Sequence, residues 1–369
     1  MKRTISLALA IVLALTLPLV FAACSPGGGS KTTPTPTQTE APNTTPDASS
    51  PDAESSPGGV SDDEAAFLAE PASGRVINIG YDGGLCQGVI AVAHSKGFFA
   101  DEGLQTQLVK SENARDAIAG GQIDTSAGMI AVWLKPISNG IDIVFTVGLH
   151  TGCTSAVVLA DSGIESFADV KGETIAITSG IGGQNQNIAF RFLAHDGLDQ
   201  NDYKWADFPG DQALAVLERG EAKVFVGPDQ LIEKWVQEGS VRRIRSLDFD
   251  EDFKDEACCA MGISGEFFAE NPITSEKISR AVYKASLWLQ ESDENKAEAA
   301  RLLLDEGHIS GTEEYALDLL KLYRFGLSNE LTEKSLYDSV DEYKQLGILS
   351  ESIDADQLKA QIWKPLDLG

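Results

Sequence analysis

Between Val76 and Ile263 the chain alternates short β-branched runs with helical stretches closed by glycine. This rhythm constrains the fold more than any single motif. Strands separated by helices pair side by side and carry the helices on their faces, the α/β arrangement with mostly parallel sheets. Val76 to Gly80 reads as a strand, Asp82 to Gly88 as a loop, and Val89 to Lys96 as a helix stopped by Gly97. Leu104 to Val109 reads as a strand and Asn113 to Ala119 as a short helix. Thr125 to Gly128 is expected to follow a brief strand and open the helix Ile130 to Ser138, with a strand over Ile143 to Val147. Further strands are expected at Ala156 to Leu159, Thr174 to Ile177, Val224 to Val226 and Val241 to Ile244. Helices are expected at Gln184 to His195, Gln212 to Glu218 and Leu231 to Gln237. From Pro272 the pattern turns helical. Ile278, Val282, Ala285 and Leu289 form one apolar stripe, which reads as core-facing.

The N-terminus fixes where such a fold works. Lys2 and Arg3 precede an apolar run from Ile5 to Ala23, and Cys24 follows. A basic end, an apolar core and small residues before a break describe an export signal. Ala22-Ala23-Cys24 resembles a bacterial lipobox, with Phe21 where Leu is usual. Residues 1–23 are therefore expected to be a signal peptide and Cys24 a diacylated membrane anchor. Simple cleavage and a retained spanning helix are the competing readings. Gly27 to roughly Gly59 consists of Gly, Ser, Thr, Pro, Ala and a few acids. It cannot bury enough surface to offset its ordering entropy, so 24–74 is expected to be a disordered tether. The remaining stretch of about 290 residues is long enough for two lobes.

Net charge is −27, which sets a nucleic-acid partner aside because phosphate recognition needs basic surface. Four cysteines follow Cys24: Cys86, Cys153, Cys258 and Cys259. None stands in a CxxC pair. His150 and Cys153 have an HxxC look but no second pair, so neither a metal nor a cofactor is expected. Asn185 falls where the last glycine of a dinucleotide-binding GxGxxG would stand, so that motif fails, and no Walker loop is present.

Strands Ala156 to Leu159 and Cys258 to Ile263 bracket the middle α/β block. One lobe inserted into another is expected, with lobe I formed by 75–160 and 257–369 and lobe II by 161–256. A hinge and a cleft follow from two crossings. Ligands in open α/β sheets sit beyond the carboxyl ends of strands. That rule selects Asp82, Gly84, Cys86 and Gln87 in the first loop, Gly128 and Met129 in the second, and Ser179, Gly182, Gly183 and Gln184 in the third. Backbone donors and a helix dipole at the third loop suit a carboxylate, sulfonate or nitrate. Thr151 and Cys153 at the crossing, and Asp229 after a strand, complete the candidates. Asp82 and Asp229, if both face the cleft, favour an amine-bearing ligand; each also fits a plain turn or cap.

Several segments in order carry a resemblance. Ile77-Asn78-Ile79-Gly80-Tyr81 is similar to the opening strand of the solute-binding proteins of nitrate, sulfonate, taurine and thiamine-precursor ABC importers. Ala93-His94-Ser95-Lys96-Gly97-Phe98-Phe99-Ala100-Asp101-Glu102-Gly103-Leu104 matches that family's most specific segment. Gly121-Gln122-Ile123-Asp124, Asp161-Ser162-Gly163-Ile164 and Phe167-Ala168-Asp169-Val170-Lys171-Gly172 match its later steps. The resemblance implies the type II two-lobed periplasmic-binding-protein fold, with the helical C-terminal tail packed on the first lobe. It implies a small-molecule ligand, an ABC permease and its ATPase as partners, a monomer, and no catalysis. A ligand sensor and a cofactor-precursor enzyme on the same fold are the alternatives. In the resembling fold the two crossing strands are neighbours, which places Cys153 within disulfide reach of Cys258 or Cys259.

Overall fold

The computed structural model describes residues 62–111 and 113–368. The expected signal peptide, Cys24 and most of the expected tether lie outside them. Among the described residues no helix is long and apolar enough to cross a membrane.

Ten strands form two five-stranded sheets. They are β1 Val76–Tyr81, β2 Gln105–Lys110, β3 Thr125–Met129, β4 Ile143–Thr151, β5 Thr154–Leu159, β6 Thr174–Ile177, β7 Lys204–Asp207, β8 Val224–Pro228, β9 Val241–Ser246 and β10 Ala257–Ser264. The first sheet runs β2-β1-β3-β10-β4 and builds lobe I. The second runs β7-β6-β8-β5-β9 and builds lobe II. Helices α1 Asp62–Ala69, α2 Gly88–Ser95, α3 Phe98–Asp101, α4 Ala114–Ala119 and α5 Ile130–Ser138 accompany the first sheet. Helices α6 Gln184–His195, α7 Ala213–Glu218 and α8 Asp229–Gln237 accompany the second. The tail supplies α9 Gly265–Glu270, α10 Pro272–Glu291, α11 Asp293–Asp305, α12 Glu313–Leu322, α13 Asn329–Gln345 and α14 Ala355–Ile362.

The two-lobed α/β architecture is the expected one, but each sheet is mixed rather than mostly parallel. β1 pairs in parallel with β2 and β3, whereas β10 is antiparallel to both β3 and β4. β6 is parallel to β7 and β8, whereas β5 is antiparallel to β8 and β9. The antiparallel strands are those that carry the chain between lobes, because a strand returning from the other lobe enters from the opposite end.

Three expectations need correction. β5 belongs to the second sheet, so the chain first crosses at Thr151–Cys153 and not after residue 160. Thr125–Met129 is itself a strand, fully buried, not a turn that opens a helix. Residues 62–74 are not tether: α1 buries Phe67, Glu70 accepts the N–H groups of Ile273 and Thr274 at the start of α10, and Ala72 N–H donates to Asn271.

The lobe I edge strand β4 is buried along its whole length. The tail covers it: Phe145 bridges to Trp363, and His150 bridges to Phe325. Covering an open edge removes a template for intermolecular pairing. The α10 stripe of Ile278, Val282, Ala285 and Leu289 is fully buried, as the periodicity requires.

Candidate functional site

Between the sheets lies a cleft of about 450 Å³, within the range of small-ligand pockets. Lobe I lines it with the loop after β1, the end of β3 and the start of β10. Lobe II lines it with the loop after β6 and the end of β8. The lobes meet at its rim: Leu85 N–H donates to Gln230 Oε1 at 3.1 Å, and the Tyr315 hydroxyl donates to the Gln230 carbonyl at 2.9 Å.

Asp82, Gly84, Cys86, Gln87, Gly128, Met129, Cys153, Ser179 and Gln184 all line this cleft, as the strand-end rule expects. Asp82 accepts from Gly84 N–H at 2.7 Å and from Gln87 Nε2 at 2.9 Å. It also lines a neighbouring recess with Tyr81 and Lys110. Desolvation by burial, and then Cys86 nearby, holds its pKa above the usual carboxylate value. Cys153 and Ser179 have φ of +99° and +80° and are the positive-φ non-glycine residues of the described chain. Both line the cleft, and strained backbone of this kind gathers at functional sites.

The remaining candidates stand elsewhere. Asp229 is fully buried inside lobe II, where Ser155 Oγ donates to it at 2.6 Å and Arg243 pairs with it at 3.3 Å. It does not line the cleft. Thr151 is buried at the crossing, with its N–H on the Arg324 carbonyl and its hydroxyl accepting from Arg324 N–H. Gly182 and Gly183 line a neighbouring recess with Arg115, Lys135 and Asn139. The donors of their loop are largely used internally: Gly180 N–H reaches Asp207, Gly182 N–H reaches Gln186, and Gly183 N–H reaches the Gly180 carbonyl. A Cβ on Gly183 would strike the Ser179 carbonyl, which gives this glycine a local reason.

Gly128 has a similar local reason. A Cβ on it would fall inside the Trp133 ring, and so would one on Gly262 of β10. Gly128 and Gly262 let the Trp133 indole pack close to β3 and β10, where it forms part of the cleft. Trp133, Arg115 and Asn185 line the cleft but escaped the sequence reading. Trp133 and Arg115 sit within helices, away from strand ends. Asn185 lies one residue beyond a selected loop and was weighed only as a failed glycine.

The thiols also converge here. Cys86, Cys153 and Cys259 line the cleft, and Cys153 Sγ lies 2.9 Å from Cys258 Sγ. The four cysteines among the described residues are free thiols. The donor atoms of Cys86, His150 and Cys259 lie within 4.8 Å of one another, as do those of Cys153, Cys258 and Cys259. The expectation of no metal-ligating group rested on local spacing. These ligands come from a loop, the end of β4 and the start of β10, so no spacing could display them. Hydrogen bonds from the Cys153 and Cys259 thiols hold Cys86 well below the ordinary thiol value. Burial pushes Cys258 well above it.

Solved structures of similar fold include the alkanesulfonate-binding protein SsuA from Xanthomonas axonopodis pv. citri bound to MOPS. It is 16% identical with a TM-score of 0.63, over 80% of this chain and 99% of that one. The periplasmic nitrate-binding protein NrtA from Synechocystis PCC 6803 is 18% identical with a TM-score of 0.63, over 78% and 86%. The periplasmic aliphatic sulphonate binding protein SsuA from Escherichia coli is 17% identical with a TM-score of 0.63, over 80% and 94%. At these identities the likeness shows a shared fold. No curated protein matches the chain by sequence. A family model described as NMT1-like matches residues 70–304, well over half of the chain, and the chain belongs to the NMT1-like family.

Proposed function

We propose that this chain is the extracytoplasmic solute-binding component of an ABC importer, held on the membrane through Cys24 and acting as a monomer. The interlobe cleft takes one small anionic or zwitterionic solute and, once closed on it, presents the two lobes to the permease. The family, and structural neighbours named for alkanesulfonate and nitrate binding, support this reading.

One observation narrows the ligand. Gln87 Oε1 and Asn185 Oδ1 belong to cleft-lining residues from opposite lobes, and both oxygens are buried without a hydrogen-bond partner in the protein. Buried acceptors left unpaired cost free energy, and a ligand carrying N–H donors would complete them. Arg115 supplies the complementary cation, Asp82 a carboxylate, and Trp133 a flat apolar wall. This set suits a zwitterion such as taurine, or an amino-substituted heterocycle such as a thiamine pyrimidine precursor, better than bare nitrate.

A thermal-shift screen across sulfonates, taurine, nitrate and aminopyrimidines tests the reading. A ligand at 100 times its Kd stabilises the folded state by about 2.7 kcal/mol. Donor-bearing solutes should raise the midpoint more than nitrate does. If no class shifts it, the solute reading is wrong. Cys24→Ser should release the protein from the membrane fraction, and retention there would refute the lipid anchor.

A further inference from the structure

We propose that Cys86, His150 and Cys259 form a binding site for a thiophilic metal ion, Zn²⁺ or Cu⁺, on the floor of the cleft. The fourth coordination position faces the solute chamber. The placement of that position rests on the solute cleft proposed above; the metal site itself does not.

His150 is the second observation beside the thiols. It is fully buried at the end of β4. Its Nδ1 lies 2.8 Å from the Thr151 carbonyl oxygen, which can only accept, so Nδ1 carries the proton. In the neutral imidazole that leaves the Nε2 lone pair for a ligand, and Nε2 has no hydrogen-bond partner in the protein. The ring is fixed by Tyr323, with centroids 4.8 Å apart, and by Phe325 at 6.0 Å. A histidine held through Nδ1 on a backbone carbonyl, with Nε2 presented to two cysteines, is the arrangement that outer-shell partners impose on metal-bound imidazoles.

The backbone brings the ligands together for separate reasons. Cys259 is the register partner of His150 across β10 and β4, and register shifts on both sides of Cys259 re-aim its side chain. Cys86 comes from the 3-10 turn Leu85–Gln87 after β1. The three donor atoms lie within 4.8 Å of one another. Around an ion with bonds of about 2.3 Å to sulfur and 2.0–2.1 Å to nitrogen they would stand about 3.4–3.8 Å apart, so the site needs at most about an ångström or a little more of closure. Two thiolates and an imidazole select Zn²⁺ or Cu⁺ over Mg²⁺ or Ca²⁺. On binding, each coordinating thiol releases its proton to solvent. Cys153 and Cys258 contact each other and stay outside this set.

The test uses the purified, reduced, chelator-treated protein. It is titrated with Co²⁺ as a spectroscopic probe, with Zn²⁺ by competition against a chromophoric chelator, and with Cu⁺ anaerobically. One ion per chain and a thiolate-to-cobalt charge-transfer band are expected. Cys86→Ser, Cys259→Ser and His150→Gln should each weaken binding at least about tenfold, while Cys258→Ser should change it less than about threefold. Absence of binding to the unmodified protein overturns the proposal. So does undiminished affinity in Cys86→Ser, which stands on a cleft-side turn and keeps the test open if His150→Gln does not fold. The solute screen repeated with chelator present separates the two readings. A solute shift without ion binding sinks the metal site alone, and ion binding without any solute shift sinks the solute reading alone.

Discussion

Cys153 Sγ and Cys258 Sγ lie 2.9 Å apart across the two interlobe crossings. That is closer than unbonded sulfurs settle and longer than the roughly 2.05 Å of a disulfide. Mild oxidation should therefore join these two residues. Non-reducing peptide mapping should find the 153–258 pair, and Cys258→Ser should remove it. The cross-link closes a loop of about 100 residues and should add about 2–4 kcal/mol to stability in denaturant titrations. A different pairing, or none, would contradict the placement of the crossings.

Gly128 exists for Trp133. Gly128→Ala forces the indole off the sheet and should cost about 1–3 kcal/mol by overpacking, read as a lower midpoint in urea. Because the same ring lines the cleft, solute affinity should fall as well.

Arg191 of α6 is buried between Glu256, at 2.7 Å, and Glu342 of α13, at 2.5 Å. It ties lobe II to the tail of lobe I. Arg191→Ala should destabilise by up to about 3–5 kcal/mol, because Glu256 loses its counter-ion and Glu342 keeps only His195. Adding Glu256→Gln and Glu342→Gln should recover part of that loss. An additive result in this triple variant would show that the three groups do not act together.

His195 sits between Glu342, at 3.3 Å, and Asp252, at 3.0 Å. The Glu342 carboxylate beside it outweighs desolvation and raises its pKa above 6.5. A raised folded-state value means the charged histidine stabilises the fold fully below about pH 6.5 and loses that contribution as pH rises through the folded value. Solvent screening keeps the effect below about 1 kcal/mol. Stability measured from pH 5.5 to 8.5 should decline in the unmodified protein, and His195→Gln should flatten that part of the decline.

Arg115 is the cation lining the cleft. Arg115→Gln should lower the affinity for an anionic group by about 1.5–3 kcal/mol, the worth of a charged hydrogen bond. Stability should stay within about 0.5 kcal/mol of the parent, as expected for a partly exposed side chain. Unchanged affinity would place the anion elsewhere.

The element rhythm was legible because burial of one face prints itself on the sequence at short range. Ile130–Ser138, Thr174–Ile177 and Gln184–His195 have the bounds that the pattern expects. β7, Lys204–Asp207, went unread because two charged residues flank its apolar pair. The 62–69 helix went unread because Phe67 alone shows that it docks. Cleft residues at strand ends were found by topology alone. Asp229 was misplaced because an aspartate after a strand looks the same whether it meets solvent, a ligand or a buried arginine.

By itself the sequence determined the α/β class, the two lobes and the strand-end loops, since each depends on composition or periodicity within a few dozen residues. Only the tertiary structure decided which strands run antiparallel and where the chain crosses. It alone showed that Gly128 makes room for an indole, and that Cys86, His150 and Cys259 meet at one point. Those outcomes depend on distances between residues far apart along the chain, and distances of that kind leave no local spacing to read.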